Sequence, residues 1–125
     1  MPTIKQPERL LHQNESNVIR WMLEHASTVG PLDHLIPAVE SLRVVGRCDC
    51  GRCPSVDFVP EDEAAGAKPV ADAVGSFPDG FNAGLILWGK DKVLTALEVY
   101  PLGVEGVFPL PEVDTLKPWK QHEKA

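Results

Sequence analysis

Cys48, Cys50 and Cys53 stand in the pattern C-x-C-x-x-C and are the chain's only three cysteines. Thiolates are soft, strongly donating ligands, and zinc takes them in a tetrahedron at a metal–sulfur distance of about 2.3 Å. A glycine-containing turn such as Cys50-Gly51-Arg52-Cys53 can aim two of them at one point. Three sulfurs leave one position to fill. There is no second C-x-x-C and no paired-histidine motif, so the fourth ligand must come from His12, His25, His34, His122, Asp49, Asp57 or water. The plainer alternative has Cys48 packing inward as a small hydrophobe, with Cys50 and Cys53 as simple turn thiols. A thioredoxin-like pair is disfavoured, because that chemistry activates the first thiol at a helix N-terminus, whereas Pro54 and a strand-like run follow Cys53. Nothing near the cysteines carries a local signature of Cys–His nucleophilic catalysis.

A second group is polar or aromatic and lies on otherwise apolar runs. In Leu94–Tyr100, strand alternation puts Leu94, Ala96, Glu98 and Tyr100 on one face, so Glu98 sits level with apolar neighbours. Arg47 and Asp57 share a face in the runs flanking the cysteines, with Arg47 in reach of Asp57 or Glu98 across a sheet. Trp88, Tyr100 and Trp119 are candidate walls of a groove on that face. These residues nominate Arg47, Asp57, Glu98, Trp88 and Tyr100 as a binding set, and no residues as a catalytic set. The bland alternative is a solvated, salt-bridged sheet face.

The elements that must position these groups follow from periodicity. Residues Met1–Gln13 contain two prolines and read as an extended arm, with Ile4, Leu10 and Leu11 free to dock. Asn14 is a candidate N-cap, Glu15 suits the positive end of the helix dipole, and Val18, Ile19, Met22, Leu23 and Ala26 make an apolar stripe at helical spacing. Gly30-Pro31 ends that helix. Leu32, Leu35, Ile36, Val39 and Leu42 repeat the spacing, but Pro37 lacks an amide proton, so the second helix is short or begins near Pro37.

The pattern then turns to strands. Arg43–Cys48 and Ser55–Val59 form a hairpin with the cysteines at its tip, and Pro60–Pro69 is a mobile acidic loop. Val70–Phe77, Phe81–Trp88 and Val93–Tyr100 are further strands, the last two joined by the tight polar turn Gly89–Lys92. Glu112–Leu116 forms a single helical turn, and residues beyond Trp119 fray. The expected architecture is α+β, with N-terminal helices packed on one face of an antiparallel meander of about five strands.

Length and charge bound the functional classes. A chain of 125 residues makes one domain, and its 43% hydrophobic and 24% charged content is that of an ordinary globular protein. The net charge of −6 repels phosphate backbones, which argues against nucleic acid as a partner. No apolar run approaches the roughly 18 residues of a membrane span, and the first residues lack the apolar core of a signal peptide. The expectation is therefore a cytoplasmic protein with reduced thiols.

The helix, the cysteine hairpin, Asp79-Gly80 and the final strand pair together resemble a group of small, uncharacterised bacterial domains similar to immunity proteins of toxin systems. That group has an R-x-L ahead of a helix, a D-G-G-M-G-S-L turn, a later D-G and a closing L-x-E-L-x-x-W. Arg9-Leu10-Leu11, Asp49–Val56, Asp79-Gly80 and Leu94–Tyr100 correspond to these, with cysteines replacing the small residues of the turn and Tyr100 near the terminal aromatic. The resemblance implies an α+β binding protein without catalytic residues. The leading expectation is thus binding of a protein partner, and the alternative is a zinc-binding protein or metalloenzyme centred on Cys48, Cys50 and Cys53. A third expectation is a ligand pocket between helix and sheet.

Overall fold

In the structure, a computed structural model that describes residues 3–119, the chain runs β1 (Thr3–Leu10), α1 (Gln13–His25), a 3-10 helix (Asp33–Ser41), β2 (Arg43–Cys48) and β3 (Val56–Asp57). A short 3-10 turn (Glu61–Ala64) leads to β4 (Lys68–Ser76), β5 (Asn82–Lys90) and β6 (Val93–Leu102). Another 3-10 turn (Val113–Thr115) precedes β7 (Lys117–Pro118). All strand pairings are antiparallel, in the order β1-β2-β3-β6-β5-β4-β7.

The fold class is therefore α+β on an antiparallel sheet, as expected, but with seven strands in place of about five. Two strands come from segments read as irregular. The N-terminal arm pairs with β2 along Thr3↔Cys48 to Leu10↔Arg43, and Lys117 and Pro118 pair with Val74 and Ala73. Neither segment alternates cleanly, so period-2 reasoning passed over both. The order is also not a simple meander. After β3 the chain crosses to the far side of the sheet and returns through β4, β5 and β6, so β6 lands beside β3.

Helix α1 buries the stripe that its spacing prescribes. Val18, Ile19, Met22, Leu23 and Ala26 are all buried, in one cluster with Leu85 and Leu87 of β5 and Leu97 and Val99 of β6. The N-cap is His12 rather than Asn14. Arg9 explains the difference: its guanidinium grips Glu15 through two hydrogen bonds of 2.9 Å each, while the His12 amide donates to Glu15 Oε1 at 2.7 Å. Glu15 thus ties the end of β1 to the first turn of the helix. Pro37 falls inside the 3-10 helix, whose bond Leu42 N–H to Val39 carbonyl spans three residues.

The β5–β6 hairpin turns through Asp91 and Lys92, both with positive φ (54° and 67°), as a two-residue turn matched to strand twist requires. Next to it the β5–β6 register shifts at Trp88/Gly89. That irregularity moves Leu94 into the core cluster, off the face that strict alternation assigns it, and leaves Ala96, Glu98 and Tyr100 opposite Trp88, Ile86 and Gly84. Among the described residues no helix is long and apolar enough to cross a membrane.

Candidate metal centre

The cysteines sit where the sequence puts them, Cys48 at the end of β2 and Cys50 and Cys53 on the loop to β3, and the two strands pair through Gly46↔Asp57 and Arg47↔Val56. Gly51 permits the loop's tight reversal by adopting φ +72°. Cys48 is buried, Cys53 half-buried and Cys50 exposed, all as free thiols. Their three sulfur atoms lie within 4.8 Å of one another, and those of Cys50 and Cys53 are 3.2 Å apart. A tetrahedral ion with sulfurs at about 2.3 Å requires S···S separations of about 3.8 Å, so small side-chain adjustments complete the set.

The surrounding backbone is arranged around sulfur. The amides of Arg52 and Cys53 both donate to Cys50 Sγ at 3.3 Å, and the Cys50 amide points at Cys48 Sγ at 3.5 Å. The Arg52 and Cys53 amides stabilise negative charge on Cys50 and bring its thiol down to about 6. Burial acts the other way on Cys48, which is pushed up to about 11. The loop therefore favours a thiolate at Cys50, beside a Cys48 thiol that a metal must deprotonate.

Ser55 fixes the far side of the loop. It is 1% exposed, its hydroxyl donates to the Val99 carbonyl at 3.1 Å, and the Val99 amide donates back to its Oγ at 2.8 Å. β3 ends its pairing with β6 at Val56↔Leu97, so this side chain carries the ladder one step further. The same Oγ lies 3.2 Å from Cys53 Sγ and so sets that sulfur against β6. In the sequence Ser55 is the first residue of a strand-like run, too common a signal to single out, whereas in the structure it lies just ahead of β3. On the other side, the Phe108 amide donates to the Arg52 carbonyl at 3.1 Å and brings the 104–108 segment over the loop.

Between that segment, the cysteines and β6 lies a cavity of about 270 Å³. Its walls include Glu98, Tyr100, Val104 and Phe108 as well as the three cysteines. Tyr100 packs directly over Gly84, where an added Cβ would stand 2.1 Å from the ring.

Among the described residues no histidine or carboxylate joins the three sulfurs. His12 contacts Glu15 at 3.8 Å, His25 stacks on Trp21 with ring centroids 4.8 Å apart, and His34 lines a separate cavity beside Val70. Asp57 lies on another cavity, and His122 is outside the described residues.

The second predicted group divides. Asp57, Trp88 and Glu98 come together around a cavity of about 220 Å³, with the Trp88 indole N–H donating to Glu98 Oε1 at 3.0 Å. Tyr100 faces the cysteine cavity, so Glu98 alone lines both. Arg47 forms neither expected ion pair: its Nη1 donates to the Cys48 carbonyl at 3.3 Å, a local bond that holds it along its own strand. Trp119 lines neither cavity.

No family model matches this chain, and neither the curated proteins nor the solved structures contain a match.

Proposed function

We propose that the protein binds a soft divalent metal ion, zinc first, through Cys48, Cys50 and Cys53, with the fourth coordination position open to the adjoining cavity. The observation that carries this reading is the convergence of three sulfurs within 4.8 Å on a loop whose amides already support one thiolate. Three thiolates select zinc or a softer ion over magnesium or calcium, which prefer oxygen. When bound, the ion supplies a Lewis acid at the cavity wall, and a site with three protein ligands and one open position is the arrangement of catalytic rather than purely structural zinc. Cys50, the thiol most readily deprotonated, and the buried Cys48 would hold the ion together with Cys53, and Glu98 places a carboxylate in the same cavity.

Titration of the reduced protein with zinc against a chromophoric chelator tests this. One equivalent with a Kd of roughly nanomolar or below is expected, and Cys50→Ser weakens it by at least about a hundredfold. Less than a tenth of an equivalent, or equal affinity in the variant with all three cysteines changed to serine, overturns the proposal.

One observation favours a second reading, capture of a protein partner in an immunity-like role. Among the described residues β1 pairs on one side only, and an eight-residue edge strand offers backbone groups for strand addition. Affinity capture from the source organism should then recover one stoichiometric partner that is lost in Lys5→Pro. Recovery unaffected by that change contradicts an edge-strand interface.

A further inference from the structure

We propose that the cavity bounded by β3, β5, β6 and the Glu61–Ala64 turn binds a small organic cation, an alkylammonium or alkylguanidinium, held by Asp57, Glu98 and the Thr95 hydroxyl against Trp88. This site shares only Glu98 with the cysteine cavity and does not rest on the cysteines binding a metal.

The first ground is charge. Among the described residues, the charged ones lining the cavity are Asp57, Glu61 and Glu98, with no lysine, arginine or histidine. Burial pushes the Asp57 carboxyl up from its usual range and Glu61 adds to this, and together they outweigh the effects that lower it, the Thr3 hydrogen bond among them. A cation relieves both effects.

The second ground is independent of charge. Thr95 stands in the wall of the same cavity, is 3% exposed, and its Oγ1 has no hydrogen-bond partner. A buried hydroxyl without a partner is destabilising, and a ligand N–H donor that reached it would relieve that.

The chemical class follows from spacing and from the aromatic wall. The cysteines are the only group of three or more metal-ligating side chains that converges among the described residues, so these carboxylates are too dispersed to close on a bare ion. Carboxylates spread around about 220 Å³ suit a cation with several N–H or N-methyl groups. Trp88, oriented by its bond to Glu98 at 3.0 Å, supplies the ring that ammonium and guanidinium groups favour.

The test uses the full chain with 4-aminobutylguanidine and choline as probes, and 3,3-dimethyl-1-butanol as the neutral match to choline. The readout is the Trp88 indole N–H in a proton–nitrogen NMR spectrum, assigned with Trp88→Phe. At least one cation should shift that signal saturably with a Kd of millimolar or tighter, and Asp57→Asn and Glu98→Gln should each weaken binding about tenfold. Thr95→Val guards against misfolding in the charge variants: it should raise the melting temperature of the free protein while weakening the cation. No saturable shift up to roughly 10 mM of either cation overturns the proposal. So does equal binding of the neutral alcohol, stoichiometric displacement by calcium, or unchanged affinity in Thr95→Val.

Discussion

Ser55→Ala is the perturbation whose cost can be worked most directly from the structure. The substitution removes one Oγ that both accepts from the Val99 amide at 2.8 Å and donates to the Val99 carbonyl at 3.1 Å, at a position 1% exposed. Little volume is lost, so cavity formation is a small part of the effect. The larger part is a buried backbone N–H and C=O beyond the end of β3 left without their partner. One orphaned buried group costs about 1–3 kcal/mol, and a net loss of about 2–3 kcal/mol is expected here. For a chain of this size that lowers Tm by about 10 °C. Because the same oxygen sets Cys53 Sγ at 3.2 Å, metal affinity should fall as well. Urea melts of the metal-free, reduced protein measure the first effect, with the exposed Ser41→Ala as a control expected within about 0.5 kcal/mol. A loss for Ser55→Ala no larger than the control's would show that Val99 finds another partner and that Ser55 does not anchor the loop.

Three further outcomes follow from the same geometry. Gly84→Ala places a methyl 2.1 Å from the Tyr100 ring, so it should destabilise by about 1–3 kcal/mol, and adding Tyr100→Ala should recover part of that loss in a double-mutant cycle. Burial alone would raise Glu15, but the Arg9 guanidinium and the His12 amide hold it below its usual range. Its stabilisation is therefore fully present above the ordinary glutamate pKa of about 4.3 and is lost as pH falls through the lowered folded value; acid melts of Glu15→Gln should lack this component. Iodoacetamide should modify Cys50 first, with a rate midpoint near pH 6, and zinc binding should release one more proton below that midpoint than above it. Alkylation of Cys48 ahead of Cys50 would contradict the assigned thiolate.

The parts of this molecule legible in its sequence are those where one local pattern dominates. The 3.6-residue stripe from Val18 to Ala26 names the buried face of α1, and alternation in Arg43–Cys48 gives β2 its observed bounds. The cysteine spacing names the sulfur cluster for a similar reason, since three ligands on one turn need no tertiary information to meet. What stayed hidden depends on contacts distant in sequence. β1 lacks alternation and becomes a strand by lying against β2, while β3 finds β6 rather than β4 because of a crossover that no local signal marks. Ser55 meets Val99 across 44 positions, and Trp88 meets Glu98 only once the β5–β6 register is set. Arg47 shows the limit of face-sharing arguments, since a neighbouring carbonyl satisfies it before any carboxylate does.

X-ray absorption at the zinc edge of the loaded, reduced protein examines the trithiolate centre most directly. The expected shell is three sulfurs at about 2.3 Å and one oxygen or nitrogen at about 2.0 Å, the latter exchanging when small anions are added. Four sulfurs would mean that a second chain completes the site, and fewer than three would mean that Cys48, Cys50 and Cys53 do not act together; either shell contradicts the account.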